Sequence, residues 1–195
     1  MTNKIALFGT SADPPTIGHQ AILQWLSQRY DLVAVWAADN PFKSNQSSLE
    51  HRANMLGVLI DTIQTPRHNI KLYQELSSRR TIETVSRGKE VWGSQVDLTL
   101  VVGSDLLEQI SKWYSIQDLL KQVKILIMPR PGYVLTEANL EQLHSMGGKW
   151  EIANLRLPAV SSTAYREKGD FSVVVPSVQE YINQEQLYLC QDRQK

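Results

Sequence analysis

Residues 5–19 read IALFGTSADPPTIGH, which is the most informative stretch of the chain. The apolar run Ile5–Phe8 predicts a short buried strand, and the Gly- and Pro-rich turn after it leads into an amphipathic helix. In such a unit, free backbone N–H groups and the positive end of the helix dipole converge where the turn ends. Because His19 adds a side-chain donor at the same point, the stretch predicts a site for a nucleotide phosphate.

Composition narrows the class of protein. The chain has 195 residues, of which 42% are hydrophobic and 21% charged, which is typical of a single globular domain spanning 1–195. Twenty basic residues balance twenty acidic ones, which argues against nucleic acid or a membrane as partner and favours a small molecule. The single cysteine, Cys190, excludes an internal disulfide, and no signal peptide or long apolar run appears. These features predict a cytoplasmic protein.

Strand and helix patterns alternate along the chain. Interior strands are predicted at Asp31–Trp36, Asp97–Val102 and Val123–Met128, and helices over about 20–30 and 50–64. Alternation of this kind predicts an α/β protein with an open doubly wound parallel sheet. The helical spacing over 176–189 adds a small C-terminal helical element. Ligands of such sheets bind beyond the carboxyl ends of the strands.

The loops that follow the predicted strands carry the polar and turn-forming residues. They cover residues 9–19, 37–43, 103–105 and 130–132. Each of them alone is compatible with a simple turn, because Gly, Pro and Asp favour turns in general. Since parallel strands end at the same edge of a sheet, the four loops together indicate a binding site there.

Several side chains in or near these loops suit an anionic ligand. Ser161, Ser162 and Thr163 offer hydroxyls at the start of a short helix, and Arg166 follows about one turn later. Lys43 is a further cation, on a loop stiffened by Pro41. Each also has a purely structural explanation, as a helix cap, a surface arginine or a solvated lysine.

Asp105 follows the most apolar strand through a Gly-Ser turn. A carboxylate there can accept hydrogen bonds from a ribose, as acidic residues do in dinucleotide-binding sheets, or it can cap the next helix. The histidines and Cys190 lack metal-ligand spacing, so no protein metal cluster is predicted.

Taken in order, the motifs resemble those of the nicotinate and nicotinamide mononucleotide adenylyltransferases, a family of the H/TxGH nucleotidylyltransferase superfamily. The first turn resembles the family's GGTFDPxHxGH, and residues 160–166 resemble its SSTxxR element. The intervening matches are residues 41–43 to PPHK, 51–55 to the arginine-containing second helix, 81–85 to TxDTL, 103–105 and 112–114 to the GxD and tryptophan loop, and 130–132 to RPG. The resemblance extends over nearly the whole chain.

The resemblance implies a Rossmann-like nucleotidylyltransferase fold and an enzyme of NAD biosynthesis. Such an enzyme transfers the adenylyl group of ATP, which carries Mg²⁺, to nicotinate mononucleotide, giving deamido-NAD and pyrophosphate. Nicotinamide mononucleotide stays open as a second acceptor, and the oligomeric state, a homo-oligomer included, stays open as well.

The resemblance also assigns roles to residues. His19 and Arg166 are expected to be catalytic. The expected nucleotide-binding residues are Gly9, Thr10, Ser11, Thr16, Gly18, Lys43, Gly103, Asp105, Ser161, Ser162 and Thr163. The expected acceptor-binding residues are Thr81, Thr84, Trp113 and Arg130. The pair Arg79 and Arg80 is either a solvated corner or a contact for the carboxylate of the acceptor.

Four positions depart from the family pattern. Thr10 replaces a Gly, Ala12 a Phe, Thr16 the first His of HxGH, and Phe42 the His of PPHK. Threonine at position 16 is the variant of the phosphopantetheine adenylyltransferases, which makes such an enzyme one alternative. A nucleotide-binding module without catalysis is the other. Release of pyrophosphate with a given acceptor distinguishes the three functions.

Overall fold

A computed structural model describes residues 3–39 and 46–188. It contains one six-stranded sheet, formed by β1 (Lys4–Thr10), β2 (Leu32–Ala37), β3 (Ile70–Leu72), β4 (Asp97–Gly103), β5 (Lys124–Met128) and β6 (Lys149–Ile152). All neighbouring strands are parallel, in the order β3-β2-β1-β4-β5-β6. The helices are α1 (Ile17–Ser27), α2 (Leu49–Asp61), α3 (Thr81–Trp92), α4 (Leu107–Ile110), α5 (Ile116–Leu120), α6 (Glu137–Ser145), α7 (Ser162–Lys168) and α8 (Pro176–Gln184).

The strand order reverses beside β1. The chain moves outward from β1 through β2 to β3, then crosses to the other side of β1 and continues through β4, β5 and β6. A crevice therefore opens between the carboxyl ends of β1 and β4, the point at which open α/β sheets bind ligands. The loops that begin after Thr10 and Gly103 lie at this crevice.

The sheet separates two apolar clusters. Ala6 and Phe8 of β1 belong to the cluster that contains residues of α1, α2 and α8. Ile5 and Leu7, which alternate with them, belong to the cluster that contains residues of α3, α5 and α6. Both faces of β1 are therefore covered, as is usual for interior parallel strands. This arrangement confirms the predicted doubly wound sheet.

Predicted and observed elements agree in the interior of the sheet and differ at its edges. The second helix ends at Asp61 instead of about Gln64, and α8 ends at Gln184 although helical spacing continues beyond it. No pattern predicted β3 or β6, which are short edge strands of three and four residues. Most of their residues are exposed or only half-buried, so they lack the apolar run of an interior strand. Within the described ranges, no helix has the length and apolar character needed to cross a membrane.

Candidate active site

Two adjoining cavities of about 630 and 450 Å³ form one cleft at the carboxyl edge of the sheet. Ser11, Asp105, Arg130, Val160 and Ser162 line both cavities. Every described residue that was predicted to bind the nucleotide lines at least one of them: Gly9, Thr10, Ser11, Thr16, Gly18, Gly103, Asp105, Ser161, Ser162 and Thr163. Lys43 lies outside the described residues.

His19 lies on the wall of the smaller cavity, in the first turn of α1. Its Nδ1 atom lies 3.0 Å from the backbone nitrogen of Thr16, which donates to it, and 2.9 Å from the Thr16 hydroxyl. Because a neutral imidazole has one donor and one acceptor nitrogen, accepting at Nδ1 places the proton on Nε2. The Nε2 atom lies 3.0 Å from the hydroxyl of Thr10. The backbone thus orients His19 as a donor through Nε2.

The departures at positions 10 and 16 both contact this imidazole. Thr16 is 2% exposed and occupies the N-cap of α1, so a buried hydroxyl stands where the family pattern has a histidine. Thr10 places a hydroxyl beside Nε2 where the family pattern has a glycine without a side chain. At both positions the threonine hydroxyl forms a hydrogen bond with a ring nitrogen of His19.

Helix α7 is held against the first turn. Ser161 caps it by accepting a hydrogen bond from the backbone of Ala164 at 3.1 Å, which confirms the predicted cap. The Ser162 hydroxyl donates to the carbonyl of Pro14 at 2.7 Å. Arg166 donates to the carbonyl oxygen of Asp13 and lies on the wall of the larger cavity. Since His19 lines the adjoining cavity, one cleft holds both predicted catalytic side chains.

Asp105 and Arg130 connect the loops that follow β4 and β5. Their side chains form an ion pair at 2.9 Å, and the Arg130 backbone nitrogen donates to the Ser104 hydroxyl at 2.9 Å. Asp105 lies within a short 3₁₀ turn over Ser104–Leu106 and caps no helix, so the capping alternative is wrong. Its Oδ1 atom is buried and accepts no hydrogen bond from the described residues.

Two close approaches at the strand ends require glycine. A Cβ atom at Gly9 would lie 2.5 Å from the indole ring of Trp36, and one at Gly103 would collide with the carboxylate of Asp105. Real side chains do not tolerate such distances, so only glycine allows Trp36 and Asp105 to lie where they do.

The sequence indicates Arg52 only as part of a family motif, and the structure gives it a physical role. Its side chain is 3% exposed and donates to the carbonyls of Ser11 at 3.0 Å, Ala38 at 2.8 Å and Ser47 at 3.1 Å. These carbonyls belong to the turn after β1 and to the beginning and end of the segment between β2 and α2. Burial lowers the pKa of the guanidinium, and the charge of Asp13 opposes that shift.

Unlike the predicted nucleotide-binding residues, most of the predicted acceptor-binding residues do not line the cleft. Of the four, Arg130 alone lines the cleft. Thr84 is 1% exposed and donates its hydroxyl to the carbonyl of Leu76 at 2.8 Å. Trp113 is half-buried between α4 and α5 and packs on the apolar cluster that contains α3, while Thr81 is the first residue of α3. Their contact with an acceptor stays a prediction.

The arginine pair before α3 makes its own contacts. Arg79 lies 3.2 Å from a carboxylate oxygen of Asp39, and Arg80 lies 3.6 Å from one of Glu83. The guanidinium of Arg80 also stacks over the ring of Tyr114, at 4.2 Å from its centroid. Neither arginine lines the cleft. Within residues 3–39 and 46–188, no group of three or more His, Cys, Asp or Glu side chains could hold a metal ion.

The fold and the cleft define a nucleotide-binding α/β protein of the doubly wound class. A family model described as cytidylyltransferase-like matches residues 7–168. A protein of Synechocystis sp. named probable nicotinate-nucleotide adenylyltransferase is 44% identical over 197 residues, covering 95% of this chain and 98% of the relative. The chain therefore belongs to the cytidylyltransferase-like family and, within it, to the nicotinate-nucleotide adenylyltransferases.

Other relatives and solved structures agree in length and fold. The nicotinate-nucleotide adenylyltransferase of Bacillus subtilis is 24% identical over 191 residues, covering 95% of this chain and 98% of that one. The structure of Plasmodium falciparum nicotinic acid mononucleotide adenylyltransferase complexed with NaAD superposes with a TM-score of 0.81 at 21% identity. That superposition covers 95% of this chain and 97% of the other, which confirms the expected Rossmann-like fold.

Proposed function

We propose that this chain transfers the adenylyl group of ATP to nicotinate mononucleotide at the cleft described above. An oxygen of the acceptor's phosphate forms a bond to the α-phosphorus of ATP, the bond from that phosphorus to the bridging oxygen breaks, and pyrophosphate leaves. The product is deamido-NAD. One observation carries the proposal: His19 and Arg166, from opposite ends of the chain, line adjoining parts of the same cleft.

The role proposed for His19 follows from its hydrogen bonds. The reaction needs no protein nucleophile, because catalysis of phosphoryl-type transfer consists mainly of positioning and charge stabilisation. The Nε2–H group, set by the Thr16 backbone, would donate to a nonbridging oxygen of the α-phosphate as negative charge grows there. To do so it exchanges the Thr10 hydroxyl for the phosphate oxygen, and that hydroxyl can then bind the nucleotide as well.

Arg166 and the start of α7 suit the leaving group. The guanidinium would neutralise the β- and γ-phosphates, with the hydroxyls of Ser161, Ser162 and Thr163 as additional donors in the same cavity. Gly9, Ser11 and Gly18 would let the triphosphate approach the backbone of the first turn closely. Lys43 is proposed as a further cation on the basis of the sequence.

Asp105 is proposed to bind a ribose of the nucleotide. Its buried and unpaired Oδ1 atom supports this role, since a ligand hydroxyl would satisfy it after a small movement of the side chain. Gly103 keeps that space open.

The acceptor is proposed to contact Arg130, Trp113, Thr81 and Thr84. Arg130 has the strongest support, because it lines both cavities, and Thr84 the weakest, because its hydroxyl is already bound to Leu76. Preference for nicotinate over nicotinamide mononucleotide is part of the proposal.

Members of this family use ATP together with a divalent cation, and we propose Mg²⁺ for this chain. We expect the ion to be coordinated mainly by ATP phosphates and water, as Mg²⁺ usually is when it is bound with a nucleotide. Such an ion would supply charge neutralisation on the triphosphate. A cytoplasmic location is likewise proposed, from the single cysteine of the sequence.

The decisive experiment measures pyrophosphate release from ATP and Mg²⁺ with each acceptor in turn. We expect the highest kcat/KM with nicotinate mononucleotide and formation of deamido-NAD in equal amount to pyrophosphate. Higher turnover with phosphopantetheine would overturn the proposal in favour of that acceptor. Nucleotide binding without pyrophosphate release for any acceptor would show a non-catalytic module.

A further inference from the structure

The turn that follows α8 returns the chain to the beginning of the fold. Tyr188 in this turn donates its hydroxyl to Oδ1 of Asp13 at 2.5 Å, across a sequence separation of 175 residues. Its ring packs edge-on against Tyr165 of α7, with centroids 5.6 Å apart. The C-terminal turn therefore contacts both the first turn and the helix that carries Arg166.

Asp13 is the centre of this contact. Its side chain is 1% exposed, and burying a carboxylate is unfavourable unless donors or cations surround it. The backbone nitrogen of Ser47 lies 3.4 Å from each of its oxygens, and the Arg166 guanidinium lies 3.6 Å from Oδ2. Among these partners Tyr188 makes the shortest hydrogen bond to the carboxylate. Burial and the adjacent Asp13 raise the pKa of Tyr188, so its phenol keeps its proton and stays a donor.

We propose that Tyr188 is a positioning residue for Arg166: it satisfies the buried Asp13 carboxylate, so that the guanidinium stays directed at the cleft. The inference deepens the proposed function, since it rests on Arg166 binding the phosphates of ATP. Arg166 already donates to the carbonyl of Asp13 and stands 3.6 Å from its carboxylate. Without the phenol, the carboxylate lacks its best donor and attracts the guanidinium in competition with the nucleotide.

The test is a double-mutant cycle on binding of a non-hydrolysable ATP analogue, measured by calorimetry for the wild type, Tyr188→Phe, Arg166→Ala and the double variant. We expect Tyr188→Phe to weaken analogue binding about tenfold, the scale of one hydrogen bond to a charged group. In the Arg166→Ala background the same substitution should have no further effect. An equal loss in both backgrounds, or no loss in either, overturns the proposal.

Tyr181→Phe provides the matched control. Its hydroxyl also belongs to the C-terminal region but lies 3.0 Å from Nδ1 of His51 and 3.1 Å from the side-chain nitrogen of Asn54. We expect wild-type affinity for the analogue in this variant. Turnover is measured in parallel: Tyr188→Phe should lower kcat/KM for ATP and leave the KM of the acceptor unchanged. Because binding is read without turnover, a wild type that binds the analogue but releases no pyrophosphate refutes the function while the cycle still tests Tyr188.

Discussion

At the scale of single residues, the geometry of His19 derives from a local motif. The side chain lies three residues after the N-cap Thr16 and accepts a hydrogen bond from the backbone of that residue. This reciprocal arrangement resembles a capping box, in which the third helical residue reaches back to the cap. A histidine in this position accepts the backbone N–H of the N-cap at Nδ1, while its Nε2 contacts the Thr10 hydroxyl and the residue lines the cleft.

Replacing this imidazole tests its role as donor. We expect His19→Ala to lower kcat by ~10²–10³, the usual cost of removing one preorganised donor in the transition state. Far-ultraviolet circular dichroism should stay that of the wild type. His144→Ala, at an exposed position on α6, is the control and should keep full activity. Wild-type turnover in His19→Ala would refute the assignment.

At the scale of elements, α2 acts as a clamp for the loops around the cleft. Arg52 projects from this helix and binds three carbonyls from two loops, and the buried guanidinium replaces the water that these groups would otherwise bind. Both α2 and α7 thus donate hydrogen bonds to carbonyls of the first turn.

Truncating Arg52 should lower the stability of the chain. We expect Arg52→Ala to lower the free energy of unfolding by about 2–4 kcal/mol, because it leaves buried carbonyls unpaired and opens a cavity. Urea denaturation monitored by circular dichroism measures this loss. The exposed Arg156 supplies the control, and Arg156→Ala should change stability by less than about 0.5 kcal/mol. Equal stabilities of the two variants would show that the clamp contributes nothing.

At the scale of the whole molecule, the C-terminal helix completes the core on one face of the sheet. Val178 and Ile182 of α8 are buried in the cluster that contains α1 and α2. Residues from both ends of the chain therefore share one apolar cluster. That the whole of 1–195 forms a single domain stays a prediction from length and composition.

A core substitution in α8 tests whether this helix and the sheet unfold together. We expect Val178→Ala to destabilise the chain by about 2 kcal/mol, since its fully buried side chain leaves a cavity. Tryptophan fluorescence and far-ultraviolet circular dichroism should shift together in one transition. Two separate transitions would indicate that α8 and the sheet unfold independently.

The interior of the fold and the turn before His19 can be predicted from the sequence. Strands β1, β2, β4 and β5 are continuous apolar runs because both of their faces are buried, and the turn before His19 is encoded in adjacent residues. The convergence of the strand-end loops at one edge followed from parallel topology alone. The described residues that are predicted to bind the nucleotide accordingly line a single cleft.

The contacts between distant segments could not be predicted without the three-dimensional structure. In the sequence, Tyr188 is one of the apolar residues in the helical spacing over 176–189. Only the packing of the chain brings its hydroxyl to Asp13. In the same way, the packed structure places the Thr84 hydroxyl against the carbonyl of Leu76, to which it donates. It also places the Arg52 guanidinium against loop carbonyls such as that of Ala38. The physical reason is that periodicity reports which face of an element is buried, whereas the partner of a buried polar group depends on which other segment lies opposite to it.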